Sequence, residues 1–267
     1  MKKLIIALSA LAIIASCTKE PADVTPAKTV ETKTNFLFKQ YYDGVEVLSQ
    51  DFGSKQYTNA KGTMHTISKL QYLVSNITLH KVDGSEVNLG GYNLINLDMP
   101  LSRYYTPMNE IPAGTYSAVS LTFGFNEADN ITGEYLDLNA ASWAWPMMIG
   151  GGYHFMKFEG MFMDNTSNMK GFAFHNGTAS KVNSDGSRTA EANHFRVKLW
   201  DYEGGFTIEE GDNTTIDINM NLAEWFKNPI TWNLDDLHIM LMPNYQAQKM
   251  INQNGRSVFS LGQTSKN

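Results

Sequence analysis

Thr215-Ile216-Asp217-Ile218-Asn219-Met220-Asn221-Leu222 alternates polar and apolar residues without a break. Successive side chains of a strand point to opposite faces, so Ile216, Ile218, Met220 and Leu222 share one face while Thr215, Asp217, Asn219 and Asn221 share the other. One face is therefore expected to be buried and the other wet. Val119, Leu121, Phe123 and Phe125 repeat the pattern, as do Phe195, Val197 and Leu199. Leu70 to Leu79 is more continuously apolar and is interrupted at Ser75-Asn76, which suits a strand that bends or bulges there. Turn signals separate these runs: Asp43-Gly44, Asp83-Gly84, Pro112-Ala113-Gly114, Gly150-Gly151-Gly152 and Asp185-Gly186.

Strand after strand with little helical periodicity predicts an all-β fold, an antiparallel β-sandwich with one or two short helices. Leu222 to Phe226 fits a single helical turn stopped before Pro229, and Tyr245 to Gln253 fits a short helix with Gly255 as its stop. Lys181 to Ala192 is polar and reads as a surface loop.

The N-terminus has a different grammar. Met1-Lys2-Lys3 precedes an apolar run from Leu4 to Ile14, too short to span a bilayer, followed by Ala15-Ser16-Cys17. Ile14-Ala15-Ser16-Cys17 matches a lipobox, so residues 1–16 read as a lipoprotein signal peptide and Cys17 as the lipidated residue. Residues 17–34 are polar, contain Pro21 and Pro26, and read as a lipid anchor and flexible tether to one domain at 35–267. The expected location is the cell envelope, at the outer membrane, with membrane contact through the lipid alone. Cys17 is the only cysteine, so the domain has no intrachain disulfide and its stability rests on burial.

Net charge of -6 and the lack of a dense Lys/Arg block argue against a nucleic-acid partner. No G-x-S-x-G, H-E-x-x-H or P-loop occurs, and Glu209-Glu210 and Asp235-Asp236 read as solvated acids, so an enzyme is not expected. Asn126 to Glu134 lacks the acidic spacing of an EF-hand and reads as a turn.

Metal ligation is better supplied. The chain has six histidines, at 65, 80, 154, 175, 194 and 238, and 14 methionines. Imidazole with thioether is a soft donor set that favours Cu(I). His238-Ile239-Met240-Leu241-Met242, read as a strand, would put His238, Met240 and Met242 on one face about 7 Å apart; the same stretch also reads as an apolar core strand that begins with a histidine. His175 ends a predicted strand in Phe172-Ala173-Phe174-His175-Asn176-Gly177, either as a hydrogen-bonded side chain or as a ligand.

The order of several segments resembles MbnP-like proteins. These segments are Tyr72 to Leu79, Asp83-Gly84, Ile111-Pro112-Ala113-Gly114-Thr115-Tyr116, Trp143-Ala144-Trp145, Gly152-Tyr153-His154-Phe155-Met156-Lys157-Phe158-Glu159-Gly160 and Phe174-His175-Asn176-Gly177. The likeness runs from Phe36 to Leu261. That family comprises copper-binding envelope proteins, often lipoproteins in Bacteroidetes. The resemblance implies a β-sandwich, a mononuclear copper site built on histidine and, in some members, a tryptophan oxidised to kynurenine by a di-haem peroxidase-like partner. Carried over residue by residue, it implies His175, His238, Met240 and Met242 as the metal ligands, with His154 ranked below them at a variable position. Copper-binding relatives that oxidise a tryptophan place it two residues before a histidine ligand; here Trp145 occupies that spacing after Trp143, so both tryptophans read first as core aromatics. Asn176 and Asp236 are candidates to orient the imidazoles.

Two functions follow. A lipid-tethered sandwich that binds copper for uptake, storage or delivery requires ring nitrogens of His175 and His238 within about 4 Å of each other. A metal-free adhesion module would use Tyr41-Tyr42 or Tyr104-Tyr105 on a glycan or protein, and would leave those histidines far apart or on opposite faces.

Overall fold

The computed structural model describes residues 33–266. The signal peptide, Cys17 and the tether up to residue 32 lie outside the described residues.

Fifteen strands and two α-helices follow in order among the described residues: β1 (Lys33–Tyr42), β2 (Val45–Glu46), β3 (Gln56–Thr58), β4 (Met64–Lys81), β5 (Glu86–Asn96), β6 (Tyr104–Tyr105), β7 (Gly114–Phe123), α1 (Leu136–Ala140), β8 (Met156–Met163), β9 (Met169–Asn176), β10 (Ala179–Val182), β11 (Arg188–Glu191), β12 (Phe195–Trp200), β13 (Phe206–Ile208), β14 (Asn213–Asn221), α2 (Tyr245–Gly255) and β15 (Phe259–Lys266). The large sheet runs β12-β7-β4-β8-β9, with β13 on β7 and β3 and β5 on β4. The smaller sheet runs β15-β14-β1-β2, with β6 on β1, and β10 and β11 form a separate hairpin. The expected all-β sandwich is what the chain forms. Its pairings are antiparallel except for β1 on β14, which is parallel; nearly the whole domain lies between these two strands, so the long crossover a parallel pair needs is available.

The sheets meet through aromatics contributed by alternate residues. Tyr72 of β4 sits edge-on to Phe38 of β1 at 6.4 Å, and Phe123 of β7 stacks on Phe195 at 5.0 Å and tilts against Phe259 of β15. Gln40 donates to the Tyr72 hydroxyl at 2.7 Å, which satisfies a polar pair inside this core. Ile216, Ile218, Met220 and Leu222 are buried as the opening octet requires. Asp217 on the opposite face is also largely buried and is neutralised by Lys39 at 2.6 Å.

Leu73 follows Tyr72 and so points to the other face of the large sheet. There it joins Phe125, Leu138, Trp143 and Tyr153 in a second, smaller core. Chain 124–155 thus covers one end of the outer face. The bend anticipated at Ser75-Asn76 is present: Asn76 has φ +51 and β4 slips register against β7 and β5 between Ser75 and Thr78.

Some expectations are corrected. Lys181 to Ala192 is not a loop, because most of it lies in the β10/β11 hairpin; both of that hairpin's faces are largely wet at this end, so the apolar alternation that signals a strand is missing. Gly255 is the last residue of α2 and not a left-handed stop. A Cβ there would fall 2.5 Å from Phe195 and 2.7 Å from Trp225, so its role is close packing. His238 to Met242 is not a strand: it is an irregular segment leading into α2, with Met240 in the left-handed region at φ +58.

Candidate metal centre

Strand parity sorts the side chains of β8 and β9. Met156, Phe158 and Phe162 of β8 and Phe172 and Phe174 of β9 face the sandwich core, while Lys157, Glu159, Met161 and Met163 and, across the ladder, Met169, Gly171, Ala173 and His175 face outward. His175 Nε2 lies 2.9 Å from Glu159 Oε1. A carboxylate only accepts, so Nε2 carries the proton and Nδ1 keeps its lone pair in the neutral ring. Glu159 also receives Lys69 Nζ at 3.1 and 3.2 Å. The His175 hydrogen bond first, and Lys69 second, hold its carboxyl down at about 2.

The outer-face cover brings in a second imidazole. Trp145 N donates to Gly152 O and His154 N to Trp143 O, so residues 143–145 and 152–154 clamp together as a short ladder. Phe155 N then donates to Asn176 O at 2.7 Å, tying that ladder to the end of β9. These bonds hold the rings of His154 and His175 edge to face with centroids 5.5 Å apart. Nδ1 of His154 donates to the Trp143 carbonyl at 3.0 Å, which leaves Nε2 as the basic nitrogen. His154 is 6% exposed; burial first, and Lys157 next, push its pKa down to about 3, so the ring is neutral at physiological pH. Each imidazole thus has one nitrogen held by an acceptor, which leaves the other as the one that would meet a metal.

Small residues make the corner possible. A Cβ on Gly177 would sit 2.5 Å from the Trp145 ring, and a Cβ on Gly160 would sit 1.9 Å from the Thr66 carbonyl, where β4 bulges against β8. The Glu159-Gly160 and His175-Asn176-Gly177 pairs therefore each place a functional side chain next to a site of close approach. Trp143 and Trp145 are fully buried, as expected of core aromatics, with His154 between 4.9 and 5.6 Å from their rings. The Trp143 Nε1 is buried without a partner among the described residues, which leaves an unsatisfied donor beside the histidines.

The other anticipated ligands lie elsewhere. The ring of His238 packs on Phe162 at 5.4 Å, and Phe162 faces the core, three residues along β8 from outward-facing Glu159. His175 and His238 thus address opposite faces of one sheet and do not converge. The main chain explains the apparent pairing, since the His238 carbonyl accepts from Ala173 N at 2.7 Å, which lays the segment along the edge of β9. Met240 is exposed and Leu241, between it and Met242, is buried. Asn176 bonds Gln248, and Asp236 accepts from Asn233, so neither orients an imidazole; Glu159 and the Trp143 carbonyl do. Among the described residues no three His, Cys, Asp or Glu side chains form a closed cage. Sequence ranking missed His154 because its nearness to His175 comes from the 143–154 clamp; Glu159 was signalled only by the alternation that puts it on His175's face.

The tyrosine pairs split likewise. Tyr42 is buried while Tyr41 lines a groove with Trp200 and Tyr202, and Tyr105 leans over Gly91. Among the described residues no helix is long and apolar enough to cross a membrane.

A model of the family described as MbnP matches residues 31–243. Among solved structures, MbnP from Methylosinus trichosporium matches with a TM-score of 0.55 and 12% sequence identity, over 86% of this chain and 98% of that one. At that identity the likeness establishes the fold. No curated protein matches the chain.

Proposed function

The chain belongs to the MbnP family, and from that premise we propose that it is a lipid-anchored envelope protein that binds one copper ion where His154 meets His175, for uptake, storage or delivery. The observation that carries the reading is the pair of imidazoles, rings 5.5 Å apart, with His154 Nδ1 and His175 Nε2 already held by the Trp143 carbonyl and Glu159. Fixed tautomers and orientations reduce the ordering cost of binding and raise ligand basicity. Two nitrogens suit Cu(I), which accepts few donors, and the absence of a three-residue His/Cys/Asp/Glu cage among the described residues suits zinc poorly. Copper is here the cargo. The protein's part is to present desolvated imidazole and to exclude water from the aromatic side of the corner.

The test is elemental analysis after exposure to Cu(I) and Cu(II), comparing the protein with His154→Ala and His175→Ala variants. Loss of one equivalent in both is expected; unchanged copper in both removes this corner. A second reading, recognition of a glycan, draws on the groove that joins Tyr41, Trp200 and Tyr202 to Asp201 and Asn219. It would be supported by sugar-induced changes in tryptophan fluorescence that Trp200→Ala abolishes.

A further inference from the structure

The outer face that carries His175 continues toward the β8–β9 turn, and there its chemistry changes. Met163 pairs with Met169 across the hairpin, Met161 pairs with Thr66, and Met64, one residue beyond the His65/Phe162 pair, lines the same cavity as Met163. These four methionines line one small cavity of about 30 Å³, room for a single water-sized body. Met64, Met161 and Met169 are 49%, 40% and 54% exposed, so they fill no core gap, which is the usual use of methionine. Sheet positions on a wet face ordinarily take Thr or charged residues. Four thioethers around one opening therefore need a reason other than packing.

We propose that Met64, Met161, Met163 and Met169 form a second site, for a soft monovalent cation of the Cu(I) or Ag(I) type. Thioether sulfur is neutral and polarisable, and it selects such ions over Ca²⁺, Mg²⁺ or Zn²⁺, which want oxygen, nitrogen or thiolate. The local frame is rigid. Asp164 Oδ1 accepts from Thr166 N, Thr166 Oγ1 and Asn168 N, and its Oδ2 pairs with Lys170 at 2.8 Å, so the turn joining the two strands is pinned and its carboxylate is engaged. Met161 lies across the neighbouring strand at Gly171, where a Cβ would meet its Sδ at 3.8 Å, an ordinary van der Waals contact. His65 also lines the cavity, but its imidazole is buried among Tyr42, Tyr57, Phe172 and Phe226 on the core side; Gln56 and Thr66 complete the lining with oxygen, and the four thioethers are its soft donors. Met169 lies six residues from His175 along β9, roughly 20 Å at strand rise, so the cluster is a site of its own and its case does not rest on the histidine corner.

The full chain is titrated with Ag(I), a redox-inert probe, and followed by native mass spectrometry and the methionine ε-methyl resonances. Three proteins are compared: wild type, a His154→Ala/His175→Ala double variant, and a variant with Met64, Met161, Met163 and Met169 all changed to Leu, which keeps the apolar surface and removes the sulfur. The double variant is expected to retain one Ag(I) with shifts at these four methyls, and the leucine variant to lose that equivalent. Met169→Leu alone, at the most exposed of the four positions, is expected to weaken it roughly tenfold or more. Equal Ag(I) binding by wild type and leucine variant, or unmoved methyls in the double variant, would overturn the proposal and leave an apolar surface patch. Failure of the histidine corner would appear separately, as copper content insensitive to the histidine changes.

Discussion

The two faces of the β4–β8–β9 segment use the same residue types for opposite ends. On the inner face His65 and His238 lie against aromatic rings: His65 against Tyr42, Tyr57, Phe172 and Phe226, and His238 against Phe162. On the outer face His175 and His154 keep one nitrogen bonded and one available, and methionines stand in the open instead of in the core. Histidine or methionine in this chain therefore acquires its role from strand parity and from what covers that side of the sheet.

The largest effect expected concerns the cover itself. Trp143 is fully buried in the small outer core, so Trp143→Ala should cost about 3–5 kcal/mol in urea unfolding; a wild-type midpoint would show that the outer cover is not structural. Next comes acid stability on the inner face. Burial lowers His65 from its ordinary 6.5 to about 4, so its contribution is complete above 6.5 and disappears as pH falls through 4, a span of roughly 3 kcal/mol. His65→Phe should therefore lose less stability than wild type between pH 7.5 and 4.5, and an identical loss would mean that His65 is not the acid-sensitive group.

Smaller effects separate the faces by copper affinity. Glu159→Gln keeps the shape but removes the charge that holds His175, and should weaken copper roughly 10–100-fold by competition titration while the fold persists. His238→Phe should leave copper content unchanged; a lost equivalent would restore His238 as a ligand and break the contrast. The least effect is expected at Met240, whose backbone sits at φ +58. Met240→Gly should shift stability upward by no more than about 1 kcal/mol, since glycine relieves the left-handed strain, and copper content should stay the same.

Much of the architecture was legible. The alternation at 215–222, the bend at Ser75-Asn76 and the helix beginning at Tyr245 all reflect short-range chemistry: period-2 burial, turn propensity and helix-forming residues. The β10/β11 hairpin escaped notice because exposed strands carry no apolar alternation. His238-x-Met-x-Met gave a false strand for the converse reason, since apolar residues beside a sheet edge can be buried without extended geometry; Leu241 is buried while Met240 is turned into the left-handed region.

The class of fold, the family, the burial of Trp143 and Trp145, and His175 at a strand end all follow from the order of residues along the chain. Which histidine joins His175 does not. The His154–His175 approach is made by the loop-closing hydrogen bond from Trp145 to Gly152 and the longer-range one from Phe155 to Asn176, together with the room that Gly177 gives Trp145. Parity fixes the face a side chain looks from; what it looks at depends on how distant segments fold over that face.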